Sequence, residues 1–267
     1  MAAPVASGTV AGMILPGLVS VTFRQLSPAA IVGLVRQAGL RGIEWGGDIH
    51  VPHGDLVRAR EVQALTAGAG LTVGAYGSYY KAAHSEGQGL AFARVLETAV
   101  TLGAPVIRVW AGPAGSADTD AATRLRVVAD LERIAALAAG AGVRIATEFH
   151  GGTLTDTNES TAQLLAEVTH PNFVAYWQPS VNYDDAACLA GIDLIGDRLS
   201  HVHVFHWETV RNRRPLAEGA ERWAKFFSRI ATVPGDRCAM LEFVEADAPE
   251  SFLRDAATLR QWLKEQG

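Results

Sequence analysis

Eight apolar, β-type runs alternate with eight alanine- and leucine-rich helical stretches, and this predicts a single (β/α)8 TIM barrel. Three observations carry the prediction. The alternation is strict, which calls for parallel strands joined by right-handed crossovers. Eight such units occupy about 250 residues in this architecture, and the chain has 267. The longer irregular segments, residues 46–54, 77–89, 111–120 and 206–219, all follow strands. They therefore share the carboxyl-end face, where barrel active sites form. An open doubly wound sheet is the alternative, but no Gly-x-Gly-x-x-Gly turn follows the first strand.

The strands are expected at residues 18–23, 42–45, 72–76, 106–110, 144–149, 173–177, 199–205 and 238–244. The helices are expected at 28–38, 55–67, 90–102, 121–139, 159–168, 184–194, 220–230 and 249–265. Ser27-Pro28 opens the first helix with a capping hydroxyl and a proline at the first helical position. Its apolar stripe is Ile31, Leu34, Val35 and Ala38, the pattern of a helix packed on a sheet. Asp55 caps the second helix ahead of Leu56, Ala59, Val62 and Leu65. Gly39 and Gly103 follow helices where a left-handed residue ends the turn.

Apolar residues make up 49% of the chain, enough for one large core, so residues 13–267 are expected to form one domain. Residues 1–10 are small and apolar without a basic flank, so residues 1–12 are expected to be a disordered leader and not a secretion signal. The net charge of −5 is a poor match for nucleic acid. No apolar run has membrane-spanning character. Cys188 and Cys238 lie far apart with no metal-type spacing, and are expected as reduced core thiols of a cytoplasmic protein.

Four polar residues close four consecutive apolar runs: Glu148, Gln178, His203 and Glu242. A parallel strand buried on both faces should be apolar throughout. Two carboxylates, one amide and one imidazole at such strand ends form a shell for a hard divalent cation. Each residue also has a plainer reading. Glu148 could pair with a lysine or arginine, and Gln178 could cap backbone groups. Glu242 lies among apolar neighbours and needs a cation if buried. His201 and His203 point to one face of their strand, and His203 is the one expected at the mouth. Glu44 is either a salt-bridge partner in the mouth or a substrate contact. His53, Trp110 and His206 follow strands on the same face and are candidate substrate contacts, the aromatic side chains as walls for an apolar sugar face. Arg211, Arg213 and Arg214 form a basic run able to hold an anionic group.

The chain resembles the xylose isomerase-like TIM barrels, which include sugar isomerases, ketose 3-epimerases, inosose dehydratases and related endonucleases. The resemblance runs along most of the chain. It rests on Thr147-Glu148, Tyr176-Trp177-Gln178, His201-Val202-His203, the Asn212-Arg213…Glu218-Gly219…Trp223 stretch and Leu241-Glu242. Ile43-Glu44-Trp45-Gly46-Gly47-Asp48 and Arg108-Val109-Trp110-Ala111-Gly112 look like its sugar phosphate isomerase/epimerase members. The resemblance implies one divalent ion held by Glu148, Gln178, His203 and Glu242. Manganese is expected first, with magnesium, cobalt or zinc as alternatives. It implies Glu148 and Glu242 as the acid–base pair and Arg213 as a contact to substrate oxygens. The activity implied is that of a sugar isomerase or epimerase working by proton transfer through an enediolate on a sugar or keto-polyol. Expulsion of a β-hydroxyl would instead make a lyase or dehydratase, and a non-catalytic sugar-binding subunit is the alternative of another class. A homo-oligomer is compatible with the resemblance. Two departures bear on substrate: Gln178 stands where the epimerases have Asp, and Val181 where they have a second histidine.

Overall fold

The computed structural model describes residues 12–265. All of the expected leader except its last residue lies outside these. The barrel strands are β1 (Ile14–Val19), β2 (Gly42–Gly46), β3 (Thr72–Lys81), β4 (Val106–Trp110), β5 (Arg144–Thr147), β6 (Phe173–Trp177), β7 (Leu199–Val204) and β10 (Arg237–Leu241). They close in the order β1-β10-β7-β6-β5-β4-β3-β2, every neighbouring pair parallel. The helices are α1 (Pro28–Gln37), α2 (Leu56–Gly68), α3 (Phe92–Leu102), α4 (Ala121–Ala139), α5 (Asn158–Glu167), α6 (Asp185–Ile195), α7 (Ala220–Ile230) and α8 (Pro249–Glu265). This is the (β/α)8 barrel that the alternation predicts.

The helix starts are built as the sequence implies. The Ser27 hydroxyl accepts from the Ala30 amide at 3.3 Å, and Asp55 accepts from the Arg58 amide at 2.9 Å. Asp120, Thr157 and Asp184 cap α4, α5 and α6 in the same way. Each such cap contributes about 0.5–2 kcal/mol. Gly39 and Gly103 have φ of 66° and 76° and turn the chain back toward the next strand.

Three details differ from the sequence reading, the simplest being that β3 runs on to Lys81, past its expected end at residue 76. The first strand starts earlier than its apolar run, at Ile14, and residues 20–23 form a 3-10 turn. Pro16-Gly17 reads as a break, yet a parallel strand accommodates it. The Pro16 carbonyl accepts from the Arg41 amide at 2.8 Å. A side chain at Gly17 would fall 2.7 Å from the Gly42 carbonyl oxygen. The Ser20 hydroxyl then draws the chain out of the ladder, accepting from the Gly46 amide at 2.9 Å. The third difference lies in residues 206–219, which carry a small antiparallel hairpin, β8 (Trp207–Thr209) and β9 (Asn212–Arg213), in place of open loop.

The core has two layers. Ile31, Val62, Trp45, Val95, Ile134, Trp223 and Phe252 fill the space between barrel and helices. Val19, Ala75, Val106, Ala146, Val174, Tyr176, Cys238 and Met240 fill the barrel itself. Each large apolar side chain fully buried this way contributes about 1.5–3 kcal/mol. Side chains alternate along a strand, so Ile43 and Trp45 pack outward while Glu44 points into the barrel. Both cysteines are buried and free. Among the described residues, no helix is long and apolar enough to cross a membrane.

Candidate metal centre

Glu148, His203 and Glu242 converge at the carboxyl end of the barrel. Glu148 directly follows β5, His203 lies in β7 and Glu242 directly follows β10. Each offers one ligand atom, and these atoms all lie within 4.8 Å of one another. All three residues are buried. The imidazole Nδ1 of His203 faces Glu148 Oε1 at 3.2 Å, Glu242 Oε2 at 3.5 Å and the Gln178 amide oxygen at 3.0 Å. The four residues that close the apolar runs are therefore brought together around one nitrogen. The amide nitrogen of Gln178 donates to the Phe149 carbonyl at 2.6 Å, which fixes the amide with its oxygen toward the centre. A carboxylate could not make that bond, which gives Gln178 a physical reason to be an amide.

One residue that composition and spacing did not single out holds this cluster, and a second stacks beside it. Arg108, inward-facing on β4, donates from Nη1 to Glu148 Oε2 and from Nε to Glu44 Oε1, the latter at 2.7 Å. Glu44 Oε2 in turn lies 3.4 Å from His203 Nε2. Trp110 also donates to Glu148 Oε2, at 3.2 Å, and its ring stacks on His150 at 4.6 Å. His150 is the other residue the sequence did not mark; it follows Glu148 by two positions on the same loop.

The electrostatics explain the protonation states. Burial works to raise the carboxyl of Glu44, but the Arg108 guanidinium and His203 outweigh it and hold it at about 2. The same partners hold Glu148 well below the usual carboxylate range against its own burial. Burial pushes His203 down, while Glu242, Glu148 and Glu44 together raise it well above its ordinary value. In the metal-free chain this favours a protonated imidazole; a cation held at Nδ1 would take the place of that proton, and with His203 then neutral three buried carboxylates face one guanidinium. The two uncompensated negative charges match one divalent cation. Uncompensated charge in a water-poor interior is costly, so the donor set and its charge both fit such an ion.

The remaining expected contacts fall in different places. Trp110 is at the centre, as described. Arg213, on β9, bonds Asp247 at 2.5 Å and lies 4.6 Å over the ring of Phe243, the residue after Glu242. It stands at the mouth with part of its guanidinium engaged. Glu44 does not line the opening: it is 0% exposed, with Oε2 against His203 Nε2 on the side away from the cluster. His53 bonds the Tyr76 hydroxyl at 2.7 Å, in the layer between barrel and helices, because Tyr76 points outward from β3. His206 turns its ring onto Gly219, where a side chain would lie 2.8 Å from its Nδ1. Neither is brought to the cluster. His201 lies one layer deeper than His203, its Nε2 3.1 Å from the Gly74 carbonyl.

The mouth is rimmed by aromatic residues in left-handed backbone. Tyr79 and Phe243 have φ of 55° and 46°, a conformation that costs of order 1–3 kcal/mol for a bulky residue and that concentrates at functional sites. Arg24 joins them, donating to the Tyr79 hydroxyl at 2.9 Å and lying 5.7 Å over the Phe243 ring.

A family model described as xylose isomerase-like TIM barrel matches residues 32–266. The chain belongs to this family. Within it, the chain is similar to a 3-dehydroshikimate dehydratase of Bacillus anthracis, 37% identical over 86 residues. That match takes in 30% of this chain and only 31% of the relative's length. Among solved structures, the probable 3-DHS dehydratase AsbF, involved in petrobactin synthesis in Bacillus anthracis, superposes with a TM-score of 0.77 at 22% identity, covering 93% of this chain and 99% of that one. The D-psicose 3-epimerase of Clostridium cellulolyticum H10, solved with D-tagatose, gives 0.64 at 18% identity, covering 95% of each. Structural likeness at these identities carries the fold alone, so the reaction must be argued from the site.

Proposed function

We propose that this family member is a divalent-metal-dependent lyase that dehydrates a small β-hydroxy ketone. The observation that carries this is the unequal state of the two glutamates. One oxygen of Glu148 is committed, Oε2 taking Arg108 and Trp110, and only Oε1 faces the centre. Glu242 has no donor within bonding distance other than His203 among the described residues. Glu148 is therefore assigned to holding the ion with His203 and Gln178. Glu242 is assigned both a place at the ion and the proton, a narrower division than the shared acid–base pair that the resemblance implies.

When bound, the ion supplies Lewis-acid polarisation of a carbonyl oxygen. Glu242 removes a proton from the carbon beside that carbonyl. The electron pair left behind forms the new C=C bond as the β-hydroxyl departs. The same carboxyl returns its proton to that hydroxyl, so the products are an enone and water, and Glu242 is regenerated. One positioned carboxyl suffices for this sequence, whereas moving a proton between opposite faces of one carbon needs two. Trp110 and Tyr79 supply aromatic surface beside the reacting carbons. Lys81 lies 4.9 Å over the Trp110 ring and pairs with no carboxylate among the described residues, which suits a substrate carrying an anionic group. The dehydratase relative supports this reading.

Isomerisation or epimerisation of a sugar is the second reading. It is favoured by the approach of Glu148 and Glu242 to His203 Nδ1 at 3.2 and 3.5 Å, so that two carboxylates flank one point. Manganese is the proposed ion, with magnesium next, from the oxygen-rich donor set. The test is to incubate the manganese-loaded protein in deuterated water with 3-dehydroshikimate and, separately, with D-psicose. Ultraviolet absorption follows gained conjugation and mass spectrometry follows deuterium uptake. Conjugation gained from the hydroxy ketone supports the lyase. Deuterium uptake into the ketose without any dehydration overturns it in favour of the second reading.

A further inference from the structure

The Arg108–Glu44 pair crosses three strands of the barrel. Glu44 is on β2 and Arg108 on β4, and the side chains meet above Gly77 on the strand between them. A side chain at Gly77 would lie 2.7 Å from Glu44 Oε1 and 2.8 Å from Arg108 Nη2, so the absence of one is what lets the pair form. Both members are buried, Glu44 at 0% and Arg108 at 2% exposure. Burying an ion pair is expensive, and apolar residues of similar volume often stabilise a fold as well or better. The pair is therefore poorly explained by stability alone.

Its contacts form a closed ring of four side chains. Arg108 Nη1 binds Glu148 Oε2, and Arg108 Nε binds Glu44 Oε1. Glu44 Oε2 faces His203 Nε2, and His203 Nδ1 returns to Glu148 Oε1. Two members of the triad are thus each held by the atom turned away from the centre. A proton on Nε2, shared with Glu44, would leave Nδ1 to a cation held among the Glu148, Glu242 and Gln178 oxygens, in place of the proton that those oxygens accept in the metal-free chain. Arg108 occupying Oε2 leaves Oε1 as the free oxygen of Glu148. The Tyr176 ring packs edge-on against the imidazole, 5.2 Å from it and at 88°.

We propose that Arg108 and Glu44 act as one positioning unit, presetting the His203 tautomer and the Glu148 orientation for a divalent cation. This rests on reading the triad as a metal centre. Partners of this kind change metal affinity roughly 10–100-fold when removed.

The test titrates manganese into the chelator-stripped full chain and counts free manganese by electron paramagnetic resonance. Arg108→Met and Glu44→Gln are expected to weaken binding at least 10-fold. Arg108→Lys keeps the charge but offers one nitrogen to two carboxylates, and should stay several-fold weaker than wild type. With magnesium bound, nitrogen-15 spectra of the His203 ring should show the proton on Nε2 in the wild type and a mixture of tautomers in Glu44→Gln. Manganese affinity and tautomer unchanged in these variants would overturn the proposal while leaving the metal centre intact. A wild-type chain that binds no divalent ion removes both. If Arg108→Met does not fold, the double variant Glu44→Gln/Arg108→Met, which leaves no half of the pair alone, carries the same expectation, and wild-type affinity in it overturns the proposal.

Discussion

Replacing Gly77 by alanine puts a methyl group into the crossing point of the buried ion pair. The added carbon would sit 2.7 Å from Glu44 Oε1 and 2.8 Å from Arg108 Nη2. Non-bonded heavy atoms rest at about 3.5 Å or more, so each contact overlaps by roughly 0.7–0.8 Å. Neither atom is the loose end of a surface side chain: Glu44 is tied to Arg108 and His203, and Arg108 to Glu148. If the pair slides aside together, the cost is that of overpacking, about 1–3 kcal/mol. If it parts, the cost approaches that of breaking a buried pair, about 3–5 kcal/mol. Urea unfolding of the metal-free protein, followed by circular dichroism, measures the difference. A control comes from Gly33 in α1, where a side chain would meet nothing within 4 Å. Gly33→Ala should raise stability by about 0.5–1 kcal/mol through helix propensity. A Gly77→Ala protein within 0.5 kcal/mol of wild type would refute the claim that the pair depends on this gap.

Glu242→Gln should lower turnover by roughly 10²–10⁴-fold, the usual contribution of a positioned acid–base group, with the fold retained. Steady-state kinetics on whichever substrate the conjugation assay identifies checks this, and near wild-type turnover would remove Glu242 from the chemistry. Cys238 gives a pH signature. Burial, with Glu44 adding to it, pushes its thiol from 9.0 up to about 12. Because the folded value is raised, the contribution is present in full below about pH 9 and is lost as pH rises toward 12, where the unfolded chain ionises and the native one does not. The slope is about 1.4 kcal/mol per pH unit in that window. Between pH 9 and 10.5, wild type should therefore lose about 1–2 kcal/mol more than Cys238→Ala in urea unfolding, and parallel losses would contradict it. Asp55→Ala, removing the cap on the Arg58 amide, should cost about 0.5–2 kcal/mol in the same measurement.

The barrel was legible because its signals are local. Alternating apolar runs, Ser27-Pro28, Asp55 and the glycines after helices each act within a few residues, and seven of the eight barrel strands start within one residue of where those signals put them. The first did not, since Pro16-Gly17 has the composition of a break and only its neighbours β10 and β2 make it a strand. The candidate ligands were legible for a related reason. Glu148, His203 and Glu242 are polar at positions a buried strand should make apolar, and that mismatch is visible without knowing the partner.

Arg108 carried the same mismatch, a charge in the middle of Val-Ile-Arg-Val-Trp, but an arginine cannot hold a cation and so was not gathered with the ligands; its meaning lies in carboxylates 64 positions before it and 40 after it. Glu44 reads equally as a salt-bridge partner or a substrate contact until Arg108 and His203, 64 and 159 positions away, are seen beside it. His53 and His206 share the loops of the functional face, yet loop membership does not fix whether a ring turns toward the barrel axis or the helices. The sequence by itself determined the alternation, the closure into one barrel and the residues that could bind an ion, because these follow from period, length and side-chain chemistry. Only the tertiary structure decided which of them meet, which glutamate is left free, and which charge holds which. Those depend on barrel closure, which brings distant strands into one water-poor interior where every charge must find its counterpart.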